Sequence, residues 1–386
     1  MKNNQKNFAW IAAIAILTLC GFSCFNNQND SDFEKEMVRT LNLKLVNSDS
    51  IYNTTDLRVL GDTIVGHSNN NLKSPGFYFI QNLKDLSKKR LIKRNILETN
   101  NEAACITCVT PIEKVSNGCL FFLEFGRNTV IQLCNDSSAT RFFDKEHDSI
   151  LNVNKVRFFK NLAVLDAFNG IFIYDLNTQK LLWKQNHSIN IGLMSIFNSK
   201  LIYTYAIKDR PQITTFITCI DLNTLKVIWE NKFDGDLTYS ATWQDSQQYY
   251  NIIENSAYQI AVPLYHSFQV IDINTGKSII SLPENNNSSF SPSFIFDQDK
   301  VFINYSVTLK CYDLSSKNKI WELPAFYLQG SYKKFLIGQS VDTKNYQIVD
   351  KSNGKILYNI QNPDLRRRNV RFIGKYILLN NKDLYE

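Results

Sequence analysis

Eight cysteines and four histidines set the chemistry that this chain of 386 residues could perform. Cys105 and Cys108 stand together as CITC, with Cys119 and Cys134 further along. Thiols at these positions could close structural disulfides, as Cys105–Cys108 or as cross-pairs with Cys119 and Cys134, or they could remain free. Zinc is the weakest option, because four thiolates would have to survive in an oxidising compartment. A redox pair of the thioredoxin type needs a helix N-terminus to activate its thiol, and none follows CITC. His67, His147, His187 and His266 are scattered without metal-ligand spacing. No Gly-x-Ser-x-Gly turn, calcium loop or glycine-rich phosphate loop occurs in a chain with only 14 glycines. No catalytic, metal or cofactor site is therefore expected.

The one cysteine with a distinct chemical prospect is Cys24. Lys2 and Lys6 precede an apolar run from Phe8 to Leu19, which is too short to span a bilayer comfortably at about 20 residues. The run ends in LTLCGFSC and is followed by polar FNNQNDSD. This is the pattern of an export signal over residues 1–23, with Cys24 as the lipidated first residue of the mature chain. Cys20 is the poorer candidate, since bulky Leu19 precedes it. Residues 24–36 then read as a tether. Removing 1–23 takes away two lysines and no acid, leaving 41 basic against 36 acidic residues, or +5. So mild a charge argues against nucleic acid as the main partner. The basic runs KKRLIKR (88–94) and RRR (366–368) read as solvated strand or loop.

The elements that must hold these residues are announced by a repeated phrase. It reads DLNTQKLLW (175–183), DLNTLKVIW (221–229), DINTGKSII (272–280), DLSSKNKIW (313–321) and DKSNGKILY (350–358), with a worn copy NDSSATRFF at 135–143. Successive copies begin 40, 46, 51, 41 and 37 residues apart, the length of one four-stranded propeller blade. In each, a large apolar residue stands eight places after the first. Asp175, Asp221, Asp272, Asp313 and Asp350 can accept hydrogen bonds from their own turn. Gly276 and Gly354 suit a hairpin position with positive φ, where Gln179, Leu225 and Lys317 stand in other copies and predict strained or differently shaped turns. Trp183, Trp229 and Trp321 should lie on the last strand of each blade, largely buried against the next. Cys219 and Cys311, two places before the Asp, take the apolar position of Ile173, Val270 and Ile348 and read as buried thiols.

Pairs of apolar runs precede each phrase, as in LAVLD with IFIYD, and VFINY with TLKCYD. Seven units are recognisable from about residue 55 to residue 362. The C-terminal FIGKYILLNNKDLYE (372–386) stops before a fourth strand, and MVRTLNLKLV (37–46) has no blade of its own. An unpaired edge invites aggregation. The expectation is an all-β, eight-bladed β-propeller over 37–386, its last blade closed by residues 37–46, with seven blades as the runner-up.

Asp-x-x-Thr-Gly-Lys-x-x-Trp at a blade's end resembles the quinoprotein-like, or PQQ-like, propeller repeat over roughly 37–386. In architecture a lipoprotein of this size resembles the propeller lipoprotein of the outer-membrane β-barrel assembly machinery. Enzymes of the family use pyrroloquinoline quinone with calcium, often beside adjacent disulfide-linked cysteines, and this chain has no Cys-Cys pair. The resemblance therefore implies a non-catalytic scaffold, lipid-anchored in the bacterial cell envelope with the outer membrane as its site, and binding a protein partner. An immunity or accessory factor for a secreted protein needs the same scaffold. A degenerate quinoprotein oxidoreductase is the alternative from another class.

Overall fold

The computed structural model describes residues 32–49, 56–60, 62–67, 77–85, 88–93, 109–114, 119–124, 129–134, 139–142, 153–167, 169–186, 194–209, 212–234, 259–264, 267–283, 293–305, 307–362, 370–373, 375–380 and 383–386. A helix, α1, covers 32–41. The strands are β1 (Leu45–Ser48), β2 (Asp56–Leu60), β3 (Thr63–His67), β4 (Phe77–Asn82), β5 (Lys89–Lys93), β6 (Val109–Lys114), β7 (Leu120–Glu124), β8 (Thr129–Leu133), β9 (Ala139–Phe142), β10 (Val153–Phe159), β11 (Leu162–Ala167), β12 (Gly170–Asp175) and β13 (Leu181–Asn186). They continue as β14 (Met194–Phe197), β15 (Lys200–Asp209), β16 (Gln212–Asp221), β17 (Lys226–Asp234), β18 (Gln259–Leu264), β19 (Ser267–Asp272), β20 (Ser278–Pro283), β21 (Ser293–Asp297), β22 (Lys300–Tyr305), β23 (Thr308–Asp313) and β24 (Lys319–Pro324). The last are β25 (Phe326–Tyr332), β26 (Phe335–Ser340), β27 (Tyr346–Asp350), β28 (Ile356–Ile360), β29 (Val370–Ile373), β30 (Tyr376–Leu379) and β31 (Asp383–Tyr385).

These strands form antiparallel meanders in an all-β propeller. Seven sheets have four strands: β2–β5, β6–β9, β10–β13, β14–β17, β21–β24, β25–β28, and β29–β31 with β1. The sheet β18–β20, which carries DINTGKSII, has three strands among the described residues. Among the described residues the complete blades thus number seven, the runner-up count, and the expectation of eight is corrected. Residues 235–258, ahead of β18, lie outside the described residues.

Burial explains why the inner strands read as continuous apolar runs. Five of six residues in β11 and in β12 are buried, because both faces of a central strand are covered by neighbouring sheets. The outer strand β13 alternates exposed and half-buried residues instead. Residues 54–324 form one compact unit, and residues up to 53 with 325–386 form another. In the first, apolar side chains of consecutive sheets meet face to face: Val164, Ile171 and Ile173 pack with Leu201, Tyr203 and Ile220, and Ile202, Ile217 and Cys219 with Ile260, Val262 and Ile271.

The second unit joins the chain's two ends. Leu45 pairs with Tyr385 and Ser48 with Asp383, and Lys44 and Glu386 exchange backbone hydrogen bonds of 2.9 Å each way. The closing strand is therefore 45–48 and not 37–46. Residues 37–41 belong to α1, as do 32–36 of the expected tether. Leu41, Leu43 and Leu45 alternate as a strand would, but Phe33, Met37 and Leu41 recur every four residues, and burial follows that helical period at 3%, 0% and 2% exposure. α1 stops at Asn42, whose φ of 51° takes the left-handed cap. The Leu43 N–H then returns to the Val38 carbonyl at 3.0 Å, a Schellman closure.

Candidate functional site

In its five clear copies the repeat phrase forms the turn that leads into the outermost strand of its sheet. Asp175 Oδ1 accepts from the Thr178 backbone N–H at 2.8 Å and its hydroxyl at 2.9 Å. Asp272 does the same with Thr275 at 2.7 and 2.8 Å. Asp313 accepts from Ser316 N–H at 2.6 Å, Asp350 from Ser352 N–H at 2.8 Å, and Asp221 from Asn223 N–H at 3.0 Å. Hydrogen bonds to the charged form hold the Asp175, Asp313 and Asp350 carboxyls below the usual range: first the backbone N–H of Thr178 and of Ser316, and for Asp350 the Ser352 hydroxyl. All five turns share one shape. Gln179, Leu225 and Lys317 adopt positive φ of 54°, 56° and 62°, beside 72° at Gly276 and 74° at Gly354. The turns with a non-glycine there are strained rather than differently shaped.

A common irregularity follows. In each of these five copies the residue two before the Asp lies opposite the residue eight after it: Ile173 with Trp183, Cys219 with Trp229, Val270 with Ile280, Cys311 with Trp321 and Ile348 with Tyr358. The register shifts just after each pair, which leaves Leu182, Ile228, Ile279, Ile320 and Leu357 as the extra residue of a bulge. A bulge on an outer strand blunts the edge against further pairing.

Trp183, Trp229 and Trp321 are half-buried, not largely buried as expected, because they stand on outermost strands. Trp229 nonetheless reaches the next phrase. Its Nε1–H donates to the Ile273 carbonyl at 2.8 Å, and Asn231 Nδ2 donates to the Gly276 carbonyl. A methyl added at Gly276 would meet the Trp229 ring at 2.7 Å, so glycine is required there by approach as well as by φ. Lys160, in the turn before β11, and Lys200, the first residue of β15, donate to Asn223 and Asn274, the third residues of the phrases in the next sheets. The phrase is a scaffold joint within each sheet and between sheets.

Cys119 and Cys134 form a disulfide with Cα atoms 4.2 Å apart. They extend the β7–β8 ladder by one cross-strand pair beyond Leu120 and Leu133. Cys105 and Cys108 lie outside the described residues, as do Cys24, His147, His187, His266 and Arg366–Arg368. Cys219 and Cys311 are fully buried free thiols, and burial pushes both up to about 12. That fits packing rather than reactivity. Among the described residues no three His, Cys, Asp or Glu side chains converge as metal ligands, and no helix is long and apolar enough to cross a membrane.

Two polar arrangements escaped the sequence. Glu34 of α1 accepts from Asn380 Nδ2 at 3.0 Å and from the Tyr385 hydroxyl at 2.5 Å. Burial raises its carboxyl pKa. On β11, Asp166 is completely buried, and neither carboxylate oxygen has a hydrogen-bond partner among the described residues. Lys155 stands directly across on β10 and Arg157 two residues further on the same face. Burial pushes Asp166 up to about 7 against the pull of Lys155 and Arg157, and pushes Lys155 down. In the same row of that face, Gln185 of β13 accepts from the Tyr203 hydroxyl of the next sheet. Thr218 and Tyr205 donate to Glu230 at 2.8 and 3.2 Å. One Asp within an apolar strand, LAVLDA, was the only signal for this layer.

No protein-family model matches the chain, and no curated protein matches it. Among solved structures, the crystal structure of BamB from Moraxella catarrhalis is similar, with a TM-score of 0.53 at 10% identity over 89% of this chain and 99% of that one. A europium-containing methanol dehydrogenase is similar with a TM-score of 0.48 at 12% identity, over 84% of this chain and 81% of that one. At such identities the likeness is one of fold. The likeness to BamB shows a β-propeller fold, and the repeated phrase resembles that of the PQQ-like propellers.

Proposed function

We propose that this chain is a non-catalytic, lipid-anchored propeller of the bacterial cell envelope, at the outer membrane, that works by binding another protein. The observation that carries this reading is the propeller itself, spanning nearly the full length of a BamB chain. A propeller holds many turns at the two ends of rigid sheets, which suits protein contact. The turns with recurrent chemistry are spent on joining sheets, as at Trp229 and Ile273. The GFSC stretch supports anchoring through Cys24, with residues 1–23 removed. α1 begins at residue 32, and the stretch between Cys24 and α1 serves as the tether.

Labelled palmitate should enter the wild type and not the Cys24→Ser variant, which should move from the membrane to the soluble envelope fraction. Failure of the label to enter the wild type ends the proposal.

A further inference from the structure

We infer that the Tyr346/Asn380 end of the unit formed by residues 325–386 and the N-terminal segment rests against the lipid headgroups, and that its repeat turn at 351–355 points away from them. The inference rests on the anchoring of Cys24 proposed above. It starts from where the chain enters the fold. The first turn of α1 is fixed at one end of two sheets. The Phe33 ring lies 5.2 Å from that of Tyr346, the first residue of β27. Glu34 binds Asn380 in the turn between β30 and β31. Asn362, after β28, donates to the Lys344 carbonyl at 3.3 Å, so that connection belongs to the same end. α1 then runs about 15 Å to the other end, where Lys44 meets Glu386 and the chain turns back into β1.

The docking is firm, since Phe33, Met37 and Leu41 are almost wholly buried among Ile337, Ile348 and Ile377. Eight residues lie between Cys24 and Phe33, nine Cα steps with a reach of at most about 32 Å. The lipid therefore tethers the Tyr346/Asn380 end and no other part of this unit so closely. That end exposes Asp342, Thr343 and Lys344, polar side chains suited to headgroups and not to the hydrocarbon. The turn after Asp350 is a further strand length away, about 17 Å for five residues.

The test uses the full acylated chain in phosphatidylcholine–phosphatidylglycerol vesicles that carry a short-range quencher on the headgroup. A fluorophore is attached through p-azidophenylalanine at Thr343 in one sample and at Asn353 in another, both exposed positions at opposite ends of β27. At least twofold stronger quenching at Thr343 is expected. Equal quenching, or stronger quenching at Asn353, overturns the orientation while leaving the anchor intact. Mass spectrometry of the same protein reads the acyl group. Its absence from Cys24 overturns the anchoring and the orientation together.

Discussion

Trp229 and Ile273 are 44 residues apart, and the indole N–H of the first donates to the carbonyl of the second at 2.8 Å. One copy of the phrase thus holds the next by the backbone. Trp229→Ala removes this bond and half a ring's burial, so the loss should be about 2 kcal/mol, below the 3–5 kcal/mol typical of a fully buried Trp. Trp229→Phe should lose about 1 kcal/mol, the share of the hydrogen bond. Urea titration of the two variants measures both, and equal losses would mean that the bond contributes nothing.

Positive φ at Lys317 predicts a gain from glycine. Lys317→Gly should raise stability by about 0.5–1 kcal/mol, since its exposed side chain loses little packing. Leu225→Gly should gain less or nothing, because Leu225 also packs against the core near Leu222. Gly276→Ala should destabilise more than Gly354→Ala, because only at Gly276 does a methyl meet a Trp229 ring. Thermal melts rank all four.

Asp166 predicts an unusual pH dependence. Its carboxyl is raised from 3.8 to about 7, so between those values the folded state holds a proton that the unfolded state has released. This contribution is therefore absent as a penalty below about pH 4, grows as pH rises, and levels off above about 7. The full span is on the order of 4 kcal/mol. Asp166→Asn, which cannot ionise, should flatten this slope and stabilise the protein at pH 7.5. Unfolding free energies at pH 5 and 7.5 measure it, and an unchanged slope in the variant would contradict the assignment.

The sequence carried the outer half of each sheet better than the rest. The phrase is local chemistry: an Asp closing its own turn and an apolar residue eight places on. Its period disclosed the propeller, and the missing fourth strand at the C-terminus pointed to the N-terminal segment. The exact segment was ambiguous because Leu41, Leu43 and Leu45 satisfy a strand period while Phe33, Met37 and Leu41 satisfy a helical one. Tertiary packing against Tyr346 and Tyr385 decides it. Asp166 and Glu34 were not legible, since their partners come from other strands and no local pattern announces a buried carboxylate. A further turn at Ser340–Asn345 repeats the phrase's geometry, with Lys344 at a φ of 60°, but its SVDTKN lacks the leading Asp.

The joined ends predict a penalty for losing them. Deleting residues 25–48 should bare the edge of β31 and the apolar surface under α1, so the variant should melt earlier and aggregate. Cys119→Ser with Cys134→Ser should cost about 3 kcal/mol without aggregation, the usual value for a closed loop of some 15 residues. Melting followed by light scattering separates the two behaviours.

The central claim is that this propeller works as an anchored protein-binding scaffold. Its most direct test is reversible crosslinking in intact cells, followed by purification from detergent-solubilised envelope, with the wild type and Cys24→Ser side by side. The account predicts one or a few defined proteins recovered in near-stoichiometric amount with the wild type, and several-fold less with Cys24→Ser. Recovery of the chain alone from both samples would contradict it.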